Sequence, residues 1–374
     1  MKPIVVQLAR LFAALAVLYG VLLALSLVFR PSERGHARLD SSRAAESLYL
    51  TEPKYVFFSR SRLNTEQDKI LVLGASNALV GFKQRELQAA LPEREVHNVS
   101  VSGSNITQMR QVVELVQEVQ TPAAREHNTF VLGLWYGVFA SNRARWETPD
   151  RHAGDTDIDL ERYRYGFYRR GEHGAEPLLP PSLLDTGGHL VHPYLALDAL
   201  TRDATRSLRE RLSGKPRKLT DAERNERLVG ASEQAGYLAF WRKYMGNVER
   251  LEDAPFQILE KTVDDIVRAG GQVVLVDMPI PSWHAAGSPL YADYSRRMET
   301  LLPELAARER VRVVRIAGSD NGDFSDEVHP KPRVTALWSE TLASALVLPE
   351  HEREQNEHRS PLRQADAGIS RRIR

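Results

Sequence analysis

A serine, an aspartate and a histidine stand where acyl-transfer chemistry would need them. Ser76 follows the apolar run of residues 70–73 through Gly74-Ala75, a small-residue turn between a buried strand and a helical segment. Such a turn presents its side chain and backbone N–H groups at the C-terminal edge of a parallel sheet, where open α/β folds bind ligands. A hydroxyl is a poor nucleophile at its own pKa and needs an adjacent general base. Of the chain's 11 histidines, His329 lies in Ser325-Asp326-Glu327-Val328-His329-Pro330, after the last strand-like run and before a helical one. That position belongs to the same sheet edge as Ser76. Asp326 precedes it by three residues, within reach of the imidazole Nδ1–H, where a carboxylate fixes the tautomer and stabilises the imidazolium. One loop can thus deliver base and orienter to a serine some 250 residues upstream. Taken singly, Ser76 reads equally well as a helix cap, and Asp326 with His329 reads as a surface loop capping the last helix. The catalytic reading rests on the three together.

The elements that must position these residues follow from periodicity. Residues 70–73 predict a buried strand, and a helix is predicted over 83–91 with Leu87, Ala90 and Leu91 on one face. A short alternation over 95–101 leads into Ser102-Gly103-Ser104-Asn105. Met109, Val112, Val113, Val116 and Val119 then recur at helical spacing over 105–120, with Asn105 or Thr107 as cap. Residues 129–134 predict a third strand ending in Trp135-Tyr136-Gly137. The pattern resumes with a helix near 255–269, a strand at 272–276, a helix near 291–308, a strand at 311–316 and a last helix over 333–346. Five apolar strands alternating with helices predict a mostly parallel sheet covered on both faces. Residues 141–250 break the rhythm and read as a large, partly helical insertion. Within it the basic–aromatic run 162–170 reads as Tyr-packed surface before it reads as a glycan contact, and Arg211, Lys215, Arg217 and Lys218 read as a solvated face. Asp320-Asn321-Gly322-Asp323 lacks the full ligand set of a calcium loop and reads as a turn. Trp283-His284, after the fourth strand, reads as loop packing before it reads as a groove wall.

Residues 11–29 (LFAALAVLYGVLLALSLVF) carry no charge over 19 positions, about the length that crosses ~30 Å of hydrocarbon as a helix. A transmembrane anchor is expected over 11–30, behind a short tail at 1–10. The run is long for a signal peptide, and Leu25-Ser26-Leu27 is a poor cleavage site. Lys2 and Arg10 precede it and Arg30, Arg34 and Arg38 follow, so charge counting does not by itself hold the N-terminus inside. The shortness of the leading tail does. The expected order is then a stalk at 31–67, a domain at 68–348 and a disordered, charged tail at 349–374. A cytosolic protein using the apolar run as core is the competing reading. A net charge of +1 supplies no drive toward nucleic acid, and the lack of cysteine removes disulfides, thiolate zinc sites and thiol catalysis.

Gly74-x-Ser76-x-x-x-x-Gly81 resembles the first block of the SGNH (GDSL-like) hydrolase superfamily, and Asp326-x-x-His329 resembles its last. Gly103 stands where that family places its oxyanion glycine. The resemblance covers roughly 68–140 and 255–346 and leaves the insertion outside. It implies an α/β fold, a flavodoxin-like three-layer sandwich around a mostly parallel five-stranded sheet. It also implies Ser76 as nucleophile, His329 as general base and Asp326 as its orienter, with no cofactor and no metal. The N–H groups of Ser76 and Gly103 would hold the developing oxyanion, each such donor being worth about 3–4 kcal/mol of barrier. Two departures stand out. Ala75 replaces the usual acidic residue before the serine, and no Gly-x-Asn follows the third strand, so Tyr136, the more distant Asn142 or neither takes that donor's role. With its anchor, the chain looks like the membrane-anchored branch that serves envelope acyl transfer, such as alginate-type O-acetylation proteins and the D-alanine transfer protein of teichoic acids. That implies a periplasmic, inner-membrane-anchored esterase or O-acyltransferase for acyl groups, above all acetyl groups, of an envelope or secreted polysaccharide. Its substrate would be an acylated glycan or small acyl ester, and its partners the membrane and other envelope acyl-transfer proteins. The alternative expectation is a catalytically weak or inactive SGNH-like scaffold or glycan-binding component of an envelope assembly.

Overall fold

A computed structural model describes residues 2–28, 60–140, 168–171, 174–178, 219–316 and 320–347, with residues 205, 208 and 212. Asn142, most of the stalk, the basic–aromatic run before Tyr168 and the C-terminal tail lie outside the described residues.

Helix α1 (Lys2–Val28) begins at Lys2, taking in residues 2–10 of the stretch read from sequence as a leading tail. Ile4, Val5, Val6 and Leu8 carry the apolar surface past Arg10, so nothing stops the helix there. Its segment Pro3–Leu25 is long and apolar enough to cross a membrane, and none of it is buried against the rest of the chain. A largely apolar helix with no buried residue in that segment differs from a core helix, which buries its apolar side chains.

After α2 (Arg60–Leu63) the main domain alternates strands and helices. In chain order these are β1 (Lys69–Leu73), α3 (Ser76–Gly81), α4 (Gln84–Ala90), β2 (Glu95–Asn98), α5 (Ile106–Glu118), α6 (Pro122–Glu126) and β3 (Asn128–Leu134). Among the described residues the insertion contributes a hairpin, β4 (Tyr168–Gly171) and β5 (Gly174–Pro177), and the helices α7 (Asp221–Glu226) and α8 (Ala231–Tyr244). Then follow α9 (Ala254–Arg268), β6 (Gln272–Asp277), α10 (Ser282–Gly287), α11 (Pro289–Ala306), β7 (Val311–Arg315) and α12 (Pro332–Val347).

Five strands form one parallel sheet in the order β2-β1-β3-β6-β7, and the β4–β5 hairpin pairs antiparallel apart from it. Every residue of β1 and of β3 is buried, as expected of strands covered on both faces. The chain steps one way from β1 to β2 and the other way from β2 to β3. Right-handed crossovers therefore put the intervening helices on opposite faces. Accordingly α3 and α4 pack with α12, while α5 packs with α9. The order reverses between β1 and β3, and the crevice beyond their C-terminal ends is the topological switch point where such sheets bind ligands. Ser76 follows β1, and Trp135-Tyr136 follow β3.

The helix predicted over 83–91 is α4, and a short helix not expected from the sequence, α3, stands before it, with a break at Phe82-Lys83. Asn98 of β2 spans the break: its side-chain amide donates to the Phe82 carbonyl at 2.7 Å and its backbone N–H to the Gln84 side-chain oxygen at 2.9 Å.

Candidate active site

Ser76 opens α3, and the turn before it is built by close packing. A Cβ on Gly74 would stand 2.4 Å from the Cβ of Ala78, and one on Gly133 of β3 would stand 2.8 Å from the same atom. Two bare glycines thus let α3 press onto the sheet between β1 and β3. The N-cap of α3 is Ala75, whose side chain cannot cap, so Ser76 is the first helical residue and not a cap. Asn77, Ala78, Leu79 and Gly81 are buried, whereas Ser76 and Val80 are half-buried. These two are four residues apart and share the outward face of α3.

Gly81, the second glycine of the motif, also acts through space. A Cβ there would meet the Trp338 ring of α12 at 2.7 Å. Trp338 also packs against Phe82 and Phe324, at ring separations of 6.4 and 6.2 Å. This contact seats the last helix, and with it the loop that precedes it, on the helix that carries Ser76.

That loop folds back on itself. Phe324 and Pro330 form an antiparallel bridge, and the His329 carbonyl accepts from the Ser325 N–H at 2.9 Å and from its hydroxyl at 3.2 Å. Inside it, the Asp326 carboxylate accepts from the backbone N–H of Val328 at 3.0 Å and of His329 at 2.8 Å. His329 Nδ1 lies 2.8 Å from Asp326 Oδ2 and 2.9 Å from Oδ1. A carboxylate only accepts, so Nδ1 carries the proton and Nε2 is left as the basic nitrogen. Burial opposes a charge on the imidazole, but the hydrogen bond and charge of Asp326, helped by Glu327, prevail and raise the His329 pKa. Burial likewise opposes the Asp326 charge, and the His329 and backbone donors prevail in lowering its pKa.

His329 and Asp326 line a cavity of about 350 Å³ together with Val80, Leu219, Arg224 and Arg227. Val80 brings the face of α3 that bears Ser76 into this wall. Among the described residues no hydrogen bond engages the Ser76 hydroxyl, and of the α3 residues it is Val80, not Ser76, that lines this cavity with His329. Catalytic contacts are often long before substrate binds and close only in the reacting complex.

Gly103 arrives at the same edge. The Gly74 carbonyl accepts from the Val101 N–H at 2.9 Å and from the Ser104 hydroxyl at 3.1 Å, which ties the 101–104 turn to the Ser76 turn. Gly103 has φ +75 with open space around it, a left-handed conformation that suits glycine. Asn105 then caps α5 in a reciprocal box with Gln108, both bonds at 3.1 Å.

Tyr136 is engaged elsewhere. Its hydroxyl lies 2.5 Å from His284 Nε2, and both side chains are fully buried. The Tyr136 hydroxyl, considered from sequence for the oxyanion role, is thus paired with His284. Asn142 lies outside the described residues. His284 itself, read from sequence as loop packing, touches the loop of Asp326 and His329: its Nδ1 is 2.7 Å from the Glu327 carbonyl. The acidic turn at Asp320–Asp323 is a short 3₁₀ helix closed by its own capping box, and Asp323 pairs with Arg333 at 2.7 Å. No cluster of potential metal ligands occurs among the described residues. No family model and no curated protein sequence matches the chain.

Proposed function

We propose that this chain is a membrane-anchored serine esterase or O-acyltransferase of the SGNH type, its main domain outside the cytoplasmic membrane. Its substrates are acyl esters, chiefly acetyl, of an envelope or secreted polysaccharide. The observation that carries the reading is the Asp326–His329 pair in the wall of a cavity that also takes in Val80, one turn beyond Ser76 on α3. The place of Ser76 directly after β1, beside the switch point of the sheet, and the apolar, unburied α1 support it further.

The chemistry follows from the arrangement. Substrate binding closes the gap between Ser76 Oγ and His329 Nε2. As Oγ attacks the ester carbonyl, its proton passes to Nε2, and Asp326 stabilises the imidazolium. The carbonyl oxygen takes the electron pair and is held by the N–H groups of Ser76 and Gly103. Collapse breaks the C–O bond to the leaving alcohol, which takes the proton from His329 and leaves an acyl-Ser76. Water or a sugar hydroxyl then gives its proton to Nε2, attacks the acyl carbon and restores Ser76. The acceptor decides between hydrolysis and transfer.

The test is hydrolysis of p-nitrophenyl acetate by the purified full-length chain. Ser76→Ala should lower kcat/KM by about 10³-fold or more with an unchanged thermal midpoint. Hydrolysis at the wild-type rate by that variant would show that Ser76 is not the nucleophile. A second reading, an SGNH-like scaffold that binds glycan without turning it over, draws on the lack, among the described residues, of a hydrogen bond between Ser76 and His329 and on the engaged Tyr136. It requires the wild-type chain to hydrolyse no faster than Ser76→Ala while still retaining polysaccharide.

A further inference from the structure

Three strand ends meet at one buried imidazole. Tyr136 follows β3, His284 lies on α10 just after β6, and Glu327 belongs to the loop after β7. A backbone carbonyl can only accept, so the 2.7 Å contact to Glu327 puts the proton on His284 Nδ1. The neutral ring then offers Nε2 as acceptor, and the Tyr136 hydroxyl at 2.5 Å donates to it. Only this assignment satisfies both contacts with a neutral ring. Burial works in its favour, lowering the His284 pKa and raising that of Tyr136.

Glu327 sits between Asp326 and Val328, inside the turn that orients the catalytic imidazole. The Asp326 carboxylate holds this turn from within, through the N–H groups of Val328 and His329. His284 is the contact that holds it from the sheet side. Trp241 of α8 adds a 3.4 Å contact from its indole N–H to the Glu327 carboxylate, and its ring stands edge-on to Trp135 at 4.8 Å.

We infer that His284 is a positioning residue: its Nδ1–H pins the Glu327 carbonyl and so sets where His329 Nε2 stands relative to Ser76, while Tyr136 fixes the tautomer that makes this possible. The inference rests on the Ser76–His329 reading above and adds a residue that takes no part in the bond changes. A misplacement of about 1 Å in such a site can cost ~10²-fold in rate.

The experiment uses the full-length chain in detergent with p-nitrophenyl acetate, and compares His284→Ala, His284→Asn and Ser76→Ala. Asparagine can keep an N–H near the Nδ1 position, whereas alanine cannot. His284→Ala should lose about 10- to 100-fold in kcat with KM within about twofold, and His284→Asn should recover most of that loss. Imidazole ¹⁵N shifts of the wild-type chain, assigned by loss of the signal in His284→Asn, should show His284 neutral and protonated on Nδ1. Wild-type kcat in folded His284→Ala, failure of His284→Asn to recover activity while folded, or an Nε2-protonated His284 would each overturn the role. Should the alanine variant fail to fold, the asparagine variant and the tautomer still decide it. An inactive Ser76→Ala beside a fully active His284→Ala removes only the positioning role, whereas an active Ser76→Ala removes the nucleophile assignment itself.

Discussion

At the scale of single residues, the Asp326–His329 pair governs how activity and stability respond to pH. His329 must be neutral to accept the Ser76 proton, and its pKa is raised within the fold. The acidic limb of a kcat/KM–pH profile should therefore have its midpoint above the ordinary imidazole value of about 6.5. In Asp326→Asn the tautomer is no longer enforced, and kcat should fall by roughly 10³–10⁴-fold with KM little changed. The linkage to stability runs in two directions. A raised histidine pKa stabilises the fold below the unfolded value and loses that contribution as pH rises through the folded one. A lowered aspartate pKa stabilises above its unfolded value and loses that contribution as pH falls. The pair thus contributes most between about pH 4 and 6.5, and thermal midpoints of wild type and His329→Ala should differ most there. Of these residues, Ser76, Asp326, His329 and Gly103 were legible in sequence because each stands in or beside a local signature. His284 was not, since its partner Tyr136 lies 148 residues away and only the sheet order joins them.

At the scale of elements, the glycines of the motif are packing devices. Gly81→Ala would force a Cβ to within 2.7 Å of the Trp338 ring. Overpacking of this kind costs about 1–3 kcal/mol, and here it would also displace α12 and the loop that carries His329. We expect a lower thermal midpoint together with a lower kcat, measured by calorimetry and the acetyl-ester assay; a drop in midpoint with unchanged kcat would separate the two roles. Glu95, at the start of β2, offers a second check. Burial disfavours its charge, but hydrogen bonding with His97 and the charges of His97 and Arg62 lower its pKa to about 2. Its stabilisation should be present at pH 7 and fade as pH drops from about 4.5 toward 2, so wild type and Glu95→Gln should converge in stability near that lower limit. The strands were legible because buried parallel strands are continuous apolar runs. The short α3 was not: six residues containing a glycine give too little periodicity to distinguish a helix from a turn, and only the Ala78 contact with Gly74 and Gly133 explains it.

At the scale of the whole molecule, helix α1 has a segment long and apolar enough to cross a membrane and buries none of it in the protein, which supports the proposed anchoring. The chain should sediment with membranes and resist extraction by high salt. Protease added to spheroplasts should remove the main domain while leaving cytoplasmic markers intact; protection from protease would place the domain on the other side. The sheet order and its switch point could be anticipated from strand–helix alternation only as a class. The reversal between β1 and β3, which brings Ser76 and the Tyr136–His284 pair to one crevice, emerges from pairing over long sequence separations that local periodicity does not encode. Covalent acylation of Ser76 with help from His329 is tested most directly by mass spectrometry of the purified chain after reaction with a fluorophosphonate. A single adduct is expected on the peptide bearing Ser76, formed at least about 10²-fold more slowly in His329→Ala. An adduct on another residue, or equal labelling of Ser76 without His329, would contradict it.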